Sequence, residues 1–238
     1  MIVNKAALIT GGAARIGKEI AISFAEMGFD IALHCFESEN KAQSTQQEIL
    51  EKNVKCSVFQ ADFSTPGEIF SLMKNISKEY DVHFLVNNAS VFVESSLLDT
   101  QYDMFEDIFN INFKAPYILT KEFAKLTNTG LIINILDTKI SQNATDCFDY
   151  LLTKKFLEDF TKMSALHLSP GIRVNAIAPG IILPPKDKDA QYLQGLATSI
   201  PLKKIGSVDC IKNTVRYFVT NDFITGQIIY VDGGENLV

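Results

Sequence analysis

Tyr150 and Lys154 stand four residues apart in Tyr150-Leu-Leu-Thr-Lys154. On a helix that spacing puts both side chains on one face. A free phenol has a pKa of about 10. A neighbouring ammonium favours the phenolate and lowers that value, so the tyrosine can give or take a proton near neutral pH. Asp137 ends the apolar run Leu131-Ile-Ile-Asn-Ile-Leu136, 13 residues before the tyrosine. The plainer alternatives are a solvated Tyr/Lys pair on a helix surface and an aspartate capping a strand end.

A second candidate is the turn Thr10-Gly11-Gly12-Ala13-Ala14-Arg15-Ile16-Gly17. Glycines let the backbone turn tightly and approach a pyrophosphate, and the helix that follows presents free N–H groups and a partial positive charge. Alone, such a turn is as readily a plain strand-to-helix connection.

The elements that must position these groups follow from hydrophobic periodicity. Ala6–Ile9, Ile31–Leu33, Cys56–Ala61, Phe84–Val86, Leu131–Leu136, Val174–Ala178 and Ile228–Val231 read as strands. Helices are expected over Ile16–Met27, closed by Gly28, from Gln43 to Lys52, and from Tyr150 to Leu168, stopped by Ser169-Pro170-Gly171. Another starts at Thr65-Pro66-Gly67-Glu68, which reads as a capping box with proline at the first position. Alternating strands and helices predict right-handed crossovers and a doubly wound α/β fold of the Rossmann type, about seven parallel strands with helices on both faces. Burial on both faces explains the continuous apolar runs. Residues 1–238 read as one domain. The stretch Ile181–Ser199, with Pro184-Pro185 and Lys186-Asp187-Lys188-Asp189, reads as an exposed segment.

Composition narrows the function. Apolar residues make up 47% and the net charge is −6, which gives no basic surface for nucleic acid. Cys35, Cys56, Cys147 and Cys210 are scattered, with no Cys-x-x-Cys pair and no Cys/His cluster, so neither a metal site nor a disulfide framework is expected. Free thiols suit the cytoplasm. No signal peptide and no apolar run of about 20 residues is present, so no membrane partner is expected.

In order and on the right elements, these motifs resemble the short-chain dehydrogenase/reductase family. Its turn is usually Thr-Gly-x-x-x-Gly-x-Gly, and here Arg15 stands at the middle glycine. Asp62 follows the third strand, where the family places an acid near the adenine. Asn87-Asn88-Ala89 matches the family's Asn-Asn-Ala-Gly, with Ser90 replacing the glycine. Asn112 matches a catalytic asparagine. Pro179-Gly180 follows the sixth strand and Val231-Asp232-Gly233-Gly234 closes the chain. By resemblance the cofactor lies against Gly11, Arg15, Ile16, Gly17, His34, Ser38, Asp62, Phe63, Asn88, Ala89, Ser90, Tyr150, Lys154, Pro179, Gly180 and Ile182. An acid at the tip of the second strand would suit the ribose of NAD. Cys35 occupies that position, Glu37 lies two residues later, and His34, Ser38 and Lys41 can serve a phosphate. This favours NADP(H), with NAD(H) left open.

The family usually has a serine where Asp137 stands. Arg15, Ser90 followed by Phe92, and Asp137 ahead of Tyr150 are together similar to pteridine reductases and the dihydromonapterin/dihydrofolate reductases of the family. The resemblance implies a small-molecule substrate, a pterin or folate, stacked on Phe92 and lined by Arg15, Ser90, Asp137 and Tyr150. In it Tyr150 and Asp137 relay a proton, Lys154 tunes Tyr150, and Asn112 holds a relay water. The alternatives are reduction of a ketone, sugar or acyl carbonyl, and, from another class, a non-catalytic dinucleotide-binding sensor. The intact Asn112, Tyr150 and Lys154 oppose the sensor. The family commonly forms tetramers, so a homotetramer is expected.

Overall fold

The computed structural model describes residues 4–184 and 190–238. The strands are β1 (Lys5–Ile9), β2 (Asp30–Cys35), β3 (Cys56–Gln60), β4 (Asp81–Asn87), β5 (Gly130–Ile135), β6 (Ile172–Pro179) and β7 (Ile228–Val231). They form one seven-stranded parallel sheet in the order β3-β2-β1-β4-β5-β6-β7. The helices are α1 (Arg15–Glu26), α2 (Glu39–Leu50), α3 (Pro66–Glu79), α4 (Tyr102–Phe109), α5 (Ala115–Leu126), α6 (Phe148–Leu168), α7 (Ala190–Ala197) and α8 (Val208–Thr220). This is the expected Rossmann-type α/β fold.

The two-residue period of a strand splits the core. Ala7 and Ile9 of β1 face α1, α2 and α8, where Phe24, Ile49 and Phe218 close the layer. Ala6 and Leu8 point the other way, onto Met73 of α3 and Phe123 of α5. Each of the larger side chains, Leu, Ile, Met or Phe, contributes about 1.5–3 kcal/mol when fully buried. The strand order reverses direction between β1 and β4, so the loops at their C-terminal ends diverge and leave a crevice. The turn after β1, the loop after β4 and Asp137 after β5 all open there.

Some boundaries differ from the sequence reading. α2 begins at Glu39 and α6 at Phe148. Part of the stretch expected to be exposed is helical, as α7, where Leu193 and Ala197 bury an apolar edge. Residues 185–189 of that stretch lie outside the described residues. The capping box at Thr65 does not form. Pro66 takes the first helical position, but Thr65 makes no side-chain cap bond, and the Glu68 carboxylate accepts from the Asp62 N–H instead, at 2.7 Å.

Candidate active site

Tyr150 and Lys154 lie in the first turns of α6, buried against the end of β5. The Tyr150 hydroxyl donates to Oδ2 of Asp137 at 2.8 Å. The other carboxylate oxygen accepts from the Lys139 N–H at 2.9 Å, which caps the short 3-10 turn Thr138–Ser141. Asp137 therefore performs the capping role and faces the tyrosine at once. Lys154 Nζ donates to the Ile135 carbonyl at 2.9 Å and stands 5.5 Å from the centre of the Tyr150 ring.

This geometry corrects one expectation. Lys154 does not draw the Tyr150 phenol below its ordinary value. Burial pushes the phenol well above 10, and the Asp137 carboxylate adds to the rise by its charge and as an acceptor. Burial also lowers Lys154 to about 8, against an opposing pull from Asp137. Near neutral pH the tyrosine is a protonated donor shared with a carboxylate.

Asn112 sits in a π-helical turn, Asn110–Lys114, between α4 and α5. Such turns are rare and often mark functional positions. Its buried Oδ1 accepts from the Val91 N–H at 2.9 Å and from Ser90 Oγ at 3.1 Å. Its Nδ2 donates to the Val91 carbonyl at 2.9 Å and to Thr153 Oγ1 at 3.3 Å. An amide has two donors and two acceptor sites, so the side chain is fully occupied in tying the loop after β4 to α6. The expected hold on a water cannot come from this amide. The same loop carries Phe92, whose ring meets Tyr150 edge-on with centroids 4.9 Å apart. Phe92 is 55% exposed, so it offers a free aromatic face at the crevice.

The turn after β1 suits a dinucleotide on its own geometry. Gly11 has φ +61° and a Cβ there would lie 3.0 Å from the Ala89 Cα. A Cβ on Gly17 would lie 2.3 Å from the Gly11 carbonyl. Arg15 adopts φ +55°, which explains why the family prefers glycine at this position: left-handed backbone costs a side-chain-bearing residue about 1–2 kcal/mol. Its guanidinium donates to the Pro184 carbonyl at 2.7 Å, joining the turn to the segment after β6. Thr10 Oγ1 accepts from the Asn88 and Ala89 N–H groups at 2.9 and 3.0 Å and fixes the loop beside it.

Three expected cofactor contacts are turned inward. His34 is buried, accepts from the Gly11 N–H through Nδ1 at 3.1 Å, and pairs through Nε2 with the Ala61 carbonyl. Burial lowers it to about 4, so it is neutral and cannot charge-pair with a phosphate; it braces the glycine turn. Phe63 is buried and stacks on His34 at 4.1 Å. The Ile182 side chain is buried, with its Cδ1 against the position of Gly206. Ser38 remains exposed, with no cap bond on its hydroxyl. Asp62 accepts from Ser64 N and Oγ at 2.8 and 2.7 Å. Pro179 ends β6 in register with Val231, and Gly180 donates to the Val231 carbonyl.

Sequence reasoning missed Thr153, which accepts from Asn112 while donating to the Tyr150 carbonyl at 2.6 Å. It also missed Glu235, whose carboxyl lies beside Gly180 and acts electrostatically on the Asp137 side of the site. Only the acid directly after a closing glycine pair hinted at the latter.

Comparison with known proteins places this geometry. A family model described as enoyl-(acyl carrier protein) reductase matches residues 11–236. The 3-oxoacyl-[acyl-carrier-protein] reductase FabG of Staphylococcus epidermidis is 31% identical, over 98% of this chain and 99% of its own. Among solved structures, FolM alternative dihydrofolate reductase 1 from Brucella canis, complexed with NADP, is 35% identical with a TM-score of 0.94. It covers 100% of this chain and 96% of its own. A blue fluorescent protein from a metagenomic library, in complex with NADPH, is 29% identical with a TM-score of 0.89, covering 98% of both chains. The chain belongs to the short-chain dehydrogenase/reductase family and is an oxidoreductase of that family.

Proposed function

We propose that this enzyme reduces a pteridine or dihydrofolate-like C=N bond with NADPH, using Tyr150 and Asp137 for the proton. The hydrogen bond of 2.8 Å from the phenol to Asp137 carries this reading. A carbonyl oxygen is served by a neutral hydroxyl donor at position 137; a ring nitrogen that must be protonated is served by an acid. Phe92 supports it, because an exposed aromatic face beside Tyr150 suits a flat heterocycle. The NADP-bound FolM structure supports both the substrate class and the cofactor.

When bound, the cofactor supplies hydride. Gly11, Ile16 and Gly17 would hold its pyrophosphate at the start of α1, with Arg15 at its edge. Asp62, Asn88, Ala89 and Ser90 would flank the nucleoside halves, Ser38 would meet the 2′-phosphate, and Pro179, Gly180 and the Ile182 backbone would close the nicotinamide end. Lys154 would reach the ribose and keep a positive charge behind Tyr150. Asn112 fixes the loop that carries Ser90 and Phe92. The competing reading is reduction of an acyl carbonyl, favoured by the FabG relative and opposed by Asp137.

The test is NADPH and NADH oxidation with dihydrobiopterin, dihydrofolate and a panel of ketones and 3-oxoacyl thioesters. The expected result is turnover of a dihydropterin with NADPH at a kcat/KM at least tenfold above any carbonyl compound. Turnover confined to carbonyls would overturn the pterin reading and keep the family.

We further infer a homotetramer in the cytoplasm. Tyr117, Met163 and Leu166 leave apolar surface exposed on α5 and α6, around a groove of about 920 Å³. A second copy burying that face would remove it from water. Light scattering is expected to give the mass of four chains, and Leu166→Glu, at an 83% exposed position, is expected to lower it; a wild-type monomer sinks the inference. The four cysteines are free, and no helix among the described residues is long and apolar enough to cross a membrane.

A further inference from the structure

We propose that Thr138 and Asp232 form a positioning pair: together they fix the turn that aims Asp137 at Tyr150, so the chain end helps set the geometry of proton transfer. The inference rests on the reading of Asp137 as a participant in the reaction.

Asp232 is a buried acid directly after β7. Its Oδ1 accepts from the Gly234 N–H at 2.9 Å. Its Oδ2 accepts from the Asn236 N–H at 2.8 Å and from Thr138 Oγ1 at 2.6 Å. The two N–H donors belong to its own tail and close a local turn. The hydroxyl belongs to the 3-10 turn Thr138–Ser141, 94 residues earlier in the chain. Thr138 is also buried, and it directly follows Asp137. Asp137 Oδ1 caps that same turn at the Lys139 N–H, while its Oδ2 accepts from the Tyr150 hydroxyl. The direction of the Asp137 carboxyl therefore depends on where the turn sits. At its far end the turn is tied to α6, where Lys155 donates to the Ile140 carbonyl at 3.0 Å. At its near end, beside Asp137, the side-chain tie is Thr138 to Asp232.

The anchor is itself held firmly. β7 pairs with β6 up to Val231, the residue before Asp232. The Gly180 N–H donates to the Val231 carbonyl at 3.1 Å, and a Cβ on Gly180 would lie 2.6 Å from the Asp232 Cβ. The backbone after β6 thus packs directly on the acid. On the other side, the Gly233 carbonyl accepts from the Leu202 N–H at 3.0 Å. Packing alone does not call for this pair, since a buried carboxylate costs free energy unless its oxygens are bonded. Here they are bonded, and the Thr138 bond has the short length of a hydroxyl donating to a carboxylate, which is stronger than a bond between neutral groups. That strength is spent on the residue next to Asp137.

The test measures kcat and KM by NADPH oxidation, with the substrate that the panel above identifies, at a temperature where each protein is folded. Thr138→Ala and Thr138→Ser both lose the methyl group, and only the serine keeps the donor. A misplacement of about 1 Å at reacting groups can cost about 100-fold in rate. In Thr138→Ala, Asp137 keeps its partners at Lys139 and Tyr150, so kcat is expected to fall about tenfold, with both KM values within about twofold of wild type. Thr138→Ser is expected to keep most of the wild-type kcat. In an Asp137→Asn background, Thr138→Ala is expected to cost nothing further, because a residue that acts through Asp137 loses its effect with it. Wild-type kcat in Thr138→Ala overturns the proposal. An equal loss in Thr138→Ser also overturns it, by making packing the cause. A full further loss in the Asp137→Asn background does so too, by making the two residues independent. If Thr138→Ala fails to fold, Thr138→Val keeps the volume without the donor and carries the same expectation; wild-type kcat there overturns the proposal. If Asp137→Asn itself keeps wild-type kcat, the reading of Asp137 fails and this one falls with it. An impaired Asp137→Asn beside an unimpaired Thr138→Ala sinks this one alone.

Discussion

Asp137→Asn is expected to lower kcat for a dihydropterin by about 10²–10⁴-fold, the range that a positioned acid or base contributes. That is about 2.7–5.4 kcal/mol of transition-state stabilisation. The substitution isolates proton transfer from architecture. Asparagine keeps the volume, and its amide oxygen can still accept from the Lys139 N–H or from the Tyr150 hydroxyl. The 3-10 turn should therefore survive, with KM and melting temperature near wild type. What disappears is the ionisable carboxyl. Removing its charge also removes one of the causes that raise the Tyr150 phenol, so the tyrosine absorbance should titrate at lower pH in the variant. Asp137→Ser goes further and supplies the hydroxyl that carbonyl-reducing relatives use. It is expected to keep under a hundredth of the pterin activity while gaining turnover of ketones. Pterin activity in Asp137→Ser that equals wild type would remove the carboxyl from the reaction. Rates would be measured by NADPH absorbance at saturating substrate, so that a loss of binding is not mistaken for a loss of chemistry.

The pairing of Asp137 with Tyr150 was legible through the family resemblance, whose serine position Asp137 fills, while the positions of its two ends on β5 and α6 are set by local rules. The apolar run fixes where β5 stops, and the helix period fixes which face Tyr150 and Lys154 share. The sheet was legible for the same reason: Ala6–Ile9 and Leu131–Leu136 have no polar face to offer solvent. The sign of the Tyr150 shift was not legible. It depends on how deeply the phenol is buried and on a carboxylate 2.8 Å away, and neither is a property of the four-residue spacing. His34 misled for a related reason. A histidine at a strand tip reads as a phosphate ligand, but here its ring completes the bonding of Gly11 and Ala61 under Phe63. The π turn that holds Asn112 and the return of Glu235 to the site come from contacts between elements far apart in the chain, which no periodicity records.

Lys154 gives the strongest pH dependence. Its ammonium is buried and lowered to about 8, so kcat is expected to fall above about pH 8 with the slope of a single proton as the charge behind Tyr150 is lost. Stability should run the other way. The native lysine releases its proton near pH 8, while the unfolded one holds it to about 10.4. Between those values the unfolded state binds more protons, so this group's contribution to stability rises with pH. Below pH 8 both states are charged and the cost of burying the ammonium is present in full, about 3 kcal/mol. It fades as pH climbs through the window from 8 to 10.4. Lys154→Met removes that cost but also the bond to the Ile135 carbonyl, worth about 1–3 kcal/mol when a buried acceptor is left alone. The variant should therefore be at least as stable as wild type at pH 7, and its relative advantage should shrink by pH 10. Its kcat should be down by about 10²-fold or more. Lys154→Arg keeps the charge and should carry the alkaline limb beyond pH 10. The measurement is kcat and melting temperature from pH 6 to 10 for the three proteins. An alkaline limb that persists unchanged in Lys154→Arg would assign the titration to another group, leaving Tyr150 and its partners on the Asp137 side to explain it.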